Sequence, residues 1–280
     1  MRITVIGTGI MGAAMAGSLA REGHDVVVWN RSPEKARALV SGRITAASSL
    51  ADAVAGCEAV LTVLFDAQAT LSVADEIAAH LPDGAVWIQC ATVGPHGARA
   101  IAERAPGRIL DAPVLGTRRP AEDGTLVVLA SGSAELLAAA GPALDAIGSR
   151  TLVVGSEVGD GSALKLATNA WVGLITAGTA QSLALARGLG VDPQLFLDAI
   201  GGGAADSPYA QVKGAAMLGG DLPKSFALDG VRKDLALMLE AAQEAHVRDD
   251  LLVAVRALFD SASERGHGSA DLAAVYAAFD

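Results

Sequence analysis

The chain has 280 residues, 51% of them hydrophobic and 19% charged, which suits two domains with a sizeable core and excludes an extended disordered protein. A net charge of −10 argues against nucleic acid as a main partner, although local arginines and lysines can still receive a small anion. Two cysteines, Cys57 and Cys90, make no disulfide framework and fit a reducing, cytoplasmic setting, and no signal peptide is expected.

The apolar run 3–6 leads straight into Gly7-Thr-Gly9-Ile-Met-Gly12. A helix-period stretch over 11–21 and a β-like run, Asp25–Trp29, follow. Strand, glycine turn, helix, strand is the setting in which GxGxxG binds a dinucleotide. Gly7 permits the tight turn, Gly9 lets the backbone approach a pyrophosphate, and Gly12 lets the helix pack against the strand. The N–H groups at Gly9, Ile10 and Met11 then face the phosphate, aided by the helix dipole. The second strand ends in Trp29-Asn30-Arg31-Ser32. An NAD site usually has an acid there for the ribose 2′-hydroxyl. This chain offers Asn30, the planar cation of Arg31 and the hydroxyl of Ser32, so NADP(H) is expected in preference to NAD(H).

Further along, 33–40 reads as a helix with Pro33 at its first position and Ser32 as N-cap. Residues 59–64 form an apolar run, as a strand buried on both faces should. A helix over 67–81, a turn at 82–84 and a strand over 85–89 lead to Ala91-Thr92. A helix over 95–105 and a strand over 108–110 reach Asp111-Ala-Pro113. A strand over 126–130 and a helix over 134–147 complete the alternation, which predicts an α/β fold, a Rossmann doubly wound parallel sheet, over 1–158. From 159 to 280 no strand pattern appears. Helical periods at 160–188, 192–200, 206–217, 226–246, 249–265 and 270–278 predict a second, all-α domain for substrate binding and dimerisation, broken at Gly188, Gly201-Gly-Gly203, Gly219-Gly220 and Gly266. The uncharged stretch 166–186 is long enough to span a bilayer. Thr168, Asn169, Thr176, Thr179, Gln181 and Ser182 would be costly in lipid, so a buried central helix is expected.

Ligands of open α/β sheets bind beyond the carboxyl ends of the strands. Leu64, Phe65 and Thr92 follow strands and can line the nicotinamide side. The segment 111–119, with Leu115, Gly116, Thr117, Arg118 and Arg119, can receive a substrate anion. Lys165 and Asn169 are four apart, hence on one helical face. A buried lysine titrates nearer neutrality and can act as general acid or base, with Asn169 anchoring a substrate hydroxyl or holding the lysine. The same pattern also fits a lysine snorkelling at a helix end. Lys233 or Asp234 could reach the cofactor, but that pair reads first as a solvated helix face. His24, His80, His96, His246 and His267 lack metal-ligand spacing.

Taken together, GTGIMG with WNRS, DAPV followed by DGTL, GSALKLATN and RKDLALMLEAA make the chain, over essentially its whole length, similar to the β-hydroxyacid dehydrogenases. That group includes 3-hydroxyisobutyrate dehydrogenase, tartronate semialdehyde reductase and glyoxylate/succinic semialdehyde reductase. The resemblance implies hydride transfer between a nicotinamide and a small hydroxy acid or aldehyde acid. It implies Lys165 as the catalytic acid/base, Asn169 as a substrate contact and Lys233 as a cofactor contact. It also implies a homodimer or homotetramer formed through the helical domain. One departure stands out: the family usually has Ser-Gly-Gly after DAPV, whereas this chain has Leu115-Gly116-Thr117 and then Arg118-Arg119-Pro120. Either Gly116, Thr117 and Arg118 re-create the carboxylate grip, or the substrate is bulkier and less acidic. Ala91 likewise replaces the usual serine before Thr92. Imine reductases share the fold and cofactor and are the alternative, although they usually replace the lysine. A non-catalytic dinucleotide sensor is a third reading.

Overall fold

A computed structural model describes residues 1–220 and 224–280, in two compact units, Met1–Lys165 and Leu166–Asp280. The first unit is built on one sheet of nine strands. In chain order these are β1 (Arg2–Ile6), β2 (Asp25–Trp29), β3 (Ile44–Ala46), β4 (Ala59–Thr62), β5 (Val86–Gln89), β6 (Ile109–Asp111), β7 (Val114–Leu115), β8 (Leu126–Ser131) and β9 (Gly148–Gly155). Their spatial order is β3-β2-β1-β4-β5-β6-β8-β7, with β9 also paired to β8. The sheet is parallel from β3 to β6 and between β8 and β9, while β8 runs antiparallel to β6 and β7. It is therefore parallel-dominated, not wholly parallel. The segment between β7 and β8 is too short for a parallel crossover, so the chain returns antiparallel.

Helices α1 (Ile10–Arg21), α2 (Pro33–Arg37), α3 (Leu50–Val54), α4 (Ala67–His80), α5 (Gly94–Ala102), α6 (Arg118–Asp123) and α7 (Ala134–Ile147) cover both faces. Neighbouring strand residues point to opposite sides. Val5 thus joins Met15, Leu19, Leu61 and Leu144 in one core, whereas Ile6 joins Ile77, Trp87 and Ile101 in another. This is the doubly wound Rossmann arrangement. Ser18 Oγ donates to the Ala146 carbonyl at 2.7 Å, closing α1 onto α7. Helix α2 stops at Arg37, short of residue 40, and the Ser32 side chain makes no cap hydrogen bond although it stands at the N-cap position.

Helix α8 (Asp160–Gly188) begins in the first unit and continues through the second, which adds α9 (Gln194–Ile200), α10 (Pro208–Gly219), α11 (Leu228–Glu244) and α12 (Asp250–Ala262). Leu183, Met217, Leu235, Met238, Phe259 and Val275 form the shared core of these helices. Thr176 and Thr179 return their hydroxyls to the carbonyls of Val172 and Ile175, each at 2.7 Å, which satisfies them within α8. Among the described residues no helix is long and apolar enough to cross a membrane. The predicted final helices differ in detail: α12 runs into a wide π-type turn where Gly266 has φ +92°, and Leu272–Phe279 is a 3-10 segment. Asp271 caps that segment by accepting from Ala273 N at 3.0 Å. Its buried carboxylate also pairs with the buried Lys213 at 2.7 Å and accepts from Ser225 Oγ at 2.7 Å.

Candidate active site

The glycine turn opens α1. Gly7 has φ +98°, and a side chain there would crowd Leu64 and the Val63 backbone. Gly12 lies against the Gly7 carbonyl. Gly9, the N-cap, is unlike both: φ is −71° and an added Cβ would meet nothing within 4 Å. No side chain caps α1 and no acid sits in its first turn, so no side chain competes with a ligand for the helix-start N–H groups at Ile10 and Met11. The Thr8 hydroxyl beside them is buried without a hydrogen-bond partner. An open space over Gly9, an uncapped helix start and an orphaned hydroxyl together fit a dinucleotide pyrophosphate. Asn30 ties this turn to the end of β2: its Oδ1 accepts from Thr8 N at 3.5 Å and its Nδ2 donates to the Ser32 carbonyl at 3.1 Å. Arg31 is exposed beside it.

At the ends of β4 and β5, Leu64 is half-buried and Phe65 is exposed. Gln89, fully buried, accepts from Ala91 N at 2.9 Å and donates to the Ala91 carbonyl at 2.8 Å, clamping the turn that delivers Thr92. Sequence reasoning missed this clamp. Its signal was a glutamine closing an otherwise apolar strand.

Asp111, at the end of β6, was also missed as a functional group. It is fully buried. Its Oδ2 accepts from Gly159 N at 3.1 Å and Ser162 N at 2.8 Å, and its Oδ1 accepts from Ser162 Oγ at 2.9 Å. Ser131, opposite it on β8, accepts from Gly161 N at 2.9 Å. The start of α8 is thus capped by groups from two strands. Burial pushes the Asp111 carboxyl up to about 6, against the pull of the hydrogen bonds from Ser162, Gly159 and Ser131. Cys90 is a buried core thiol, pushed well above its usual range by burial and by Asp111.

Leu115 lies in β7 opposite Val127, Gly116 has φ +124°, and Thr117 is the N-cap of α6. Both arginines of this segment are engaged along α6, Arg118 with Glu122 at 2.7 Å and Arg119 with Asp123 at 2.8 Å. Arg118 also lines an open groove of about 560 Å³ with Ile10, Gly17, Arg21 and Leu39. Lys165 turns its head group inward: it is 9% exposed, and Nζ donates to the Val114 carbonyl at 2.7 Å.

In the second unit, Asn169 lies one turn further along α8, buried, with Nδ2 donating to Asp234 Oδ2 at 2.6 Å. Lys233 Nζ stands 2.8 Å from Asp234 Oδ1, an ion pair whose approach lies outside hydrogen-bond angles. The expectation of a solvated face for this pair does not hold, since the Asp234 side chain is 2% exposed. Val231, Asp234, Leu235 and Met238 share the i, i+3, i+4, i+7 stripe that α11 buries.

Fold and turn define a dinucleotide-binding protein of the Rossmann class. Residues 2–155 match the NAD-binding domain family of 6-phosphogluconate dehydrogenase, and 159–279 match the NAD-binding family of NADP-dependent 3-hydroxyisobutyrate dehydrogenase. The chain belongs to the β-hydroxyacid dehydrogenase family. It is 32% identical to glyoxylate/succinic semialdehyde reductase 1 of Arabidopsis thaliana, over 98% of this chain and 97% of that protein. It is 33% identical to L-threonate dehydrogenase of Cupriavidus necator, over 99% of this chain and 95% of that protein. The solved 3-hydroxyisobutyrate dehydrogenase of Salmonella typhimurium superposes with a TM-score of 0.88 at 26% identity, covering 99% of each chain. An imine reductase from Pseudomonas sp. shares the fold with a TM-score of 0.62 at 21% identity, over 100% of this chain and 99% of that one.

Proposed function

We propose that the protein transfers hydride between NADP(H) and a small hydroxy acid or aldehyde acid, with Lys165 as the general acid/base. The observation that carries this reading is the buried Lys165 head group, held 2.7 Å from the Val114 carbonyl just beyond the end of β6. The nicotinamide supplies the hydride when bound. Lys165 Nζ donates to the Val114 carbonyl, and a lysine ammonium held there can pass a proton to the substrate oxygen as hydride arrives. Asn169 binds the substrate with its amide oriented by Asp234, and Lys233 contacts the cofactor. Gly7, Gly9 and Gly12 shape the pyrophosphate turn, with Ile10 and Met11 supplying N–H groups. Asn30, Arg31 and Ser32 hold the 2′-phosphate. Leu64, Phe65 and Thr92 border the nicotinamide. Since Glu122 engages Arg118, the substrate carboxylate falls mainly to Gly116 and Thr117, with Leu115 shaping the pocket. Self-association through the second unit accords with the exposure of Trp171, Leu185, Leu189 and Leu251 there.

The test is oxidation of NADPH, and separately NADH, with glyoxylate, succinic semialdehyde and a cyclic imine. Turnover of an aldehyde acid is expected. Lys165→Ala should cut it by ~10²-fold or more while the Kd for NADPH stays near the wild-type value. Turnover of the imine alone, or an equal loss of cofactor affinity in Lys165→Ala, would overturn the reading.

A further inference from the structure

Asp111 is a buried carboxylate for which hydride transfer has no use, and three of its four hydrogen-bond contacts lead to the start of α8, the fourth being with Ser131 on β8. We propose that Asp111 is the positioning residue for Lys165: it latches the first turn of α8 onto the sheet and so sets where the lysine head group stands. The inference rests on the reading of Lys165 as acid/base.

Two chain segments are bonded to each other at both ends. At one end Asp111 takes Gly159 N, Ser162 N and Ser162 Oγ. Three residues further along each segment, Val114 takes the Nζ of Lys165. Between them the helix start sits directly on the strand ends, for a side chain on Gly161 would come within 3.2 Å of the Asp111 carbonyl. The chemistry calls for a carboxylate. Three N–H and O–H donors converge on one side chain, and only an ionised acid offers acceptors in every direction and no donor of its own. Its charge also complements the helix N-terminus. Ser131 holds Gly161 N from the neighbouring strand, so the turn is fixed at 159, 161 and 162. A helix start held at 159, 161 and 162 resists rotation about its axis, and rotation is the movement that would swing Lys165 away from Val114. Precise placement of an acid/base group is worth far more in rate than the strength of the bonds that achieve it.

The test uses the full chain labelled with 13Cε-lysine, together with kinetics. The lysines are Lys35, Lys165, Lys213, Lys224 and Lys233, and loss of one resonance in Lys165→Ala assigns the relevant signal. Asp111→Asn keeps the shape but turns an amide NH2 toward the converging donors. Ser162→Ala removes one donor and is the milder variant should Asp111→Asn fail to fold. In both, the Lys165 resonance should move while those of Lys35, Lys213 and Lys224 stay. With glyoxylate or succinic semialdehyde and NADPH, kcat should fall roughly 10-fold or more, with the Kd for NADPH within about 2-fold. In a Lys165→Ala background, adding either change should alter the residual rate by less than about 2-fold, because the latch acts through the lysine. An unmoved Lys165 resonance, or a rate loss as large without Lys165 as with it, overturns the proposal. A Lys165→Ala protein of full activity would instead overturn the acid/base reading, and the resonance would still report whether Asp111 places the lysine.

Discussion

Gly12 stands so close to Gly7 that a methyl group on it would displace the Gly7 carbonyl, whereas a methyl group on Gly9 would touch nothing within 4 Å. Two glycines of one motif therefore answer to different masters, one to the chain's own packing and one to the ligand. Gly12→Ala should lower Tm by several degrees, as an overpacked core position does. Gly9→Ala should leave Tm within about 2 °C yet weaken NADPH ~10-fold or more, because the methyl group takes space meant for a pyrophosphate. Thermal melts with and without NADPH separate the two. Equal Tm losses would show that Gly9, too, is there for packing.

Arg31 is exposed at the end of β2 beside the Asn30 bridge. A guanidinium there favours a phosphate over a hydroxyl. Arg31→Ala should raise the Kd for NADPH by ~10-fold and that for NADH by less than about 2-fold. Titration calorimetry with both cofactors reads the difference. Parallel weakening would remove Arg31 from the 2′-phosphate site.

The Asp111 carboxyl, pushed up by burial to about 6, gives stability an unusual slope. An unfolded aspartate titrates near pH 4, so between about pH 4 and pH 6 the folded chain keeps a proton that the unfolded chain has released. The folded state binds more protons in this window, and this group's contribution to stability falls as pH rises through it. Asp111→Asn does not titrate. The Tm of the variant minus that of the wild type should therefore grow from about pH 4 to about pH 6.5. A difference that shrinks over that range would reverse the sign.

Asp271 works in the opposite sense. Burial raises its carboxyl, but hydrogen bonds from Lys213, Ser225 and Ala273 outweigh burial and hold it below the usual range. Removing one partner of a buried pair leaves a charge uncompensated. Lys213→Met should cost about 3–5 kcal/mol, measured from urea unfolding. Adding Asp271→Asn should recover part of that loss. If the double variant is less stable than the single one by the full cost of Asp271→Asn alone, the two residues are not coupled.

Much of this was legible in residue spacing. The β1–α1–β2 unit, α7 and α8 announce themselves because long apolar periods and a glycine signature leave few alternatives. The short elements β3, α3, β7 and α6 do not, since two to six residues carry too little periodicity to separate from a loop. Lys165 and Asn169 stood out as polar groups in an apolar helix. Asp111 did not, nor did the pairing of Asn169 with Asp234, because their importance lies in bonds between residues distant in the chain, and no local pattern encodes a buried acceptor.

The hydrogen bond from Ser18 to Ala146 joins residues 128 apart in the chain. β1, meanwhile, lies between β2 and β4 in the middle of the sheet. During synthesis the glycine turn leaves the ribosome well before α7, and the helix it opens gains the partner on its far side only after residue 146 has followed. The first signature to be made is among the last parts of its unit to be finished. A fragment ending before that point would carry every residue of the motif without the scaffold that turns it into a site.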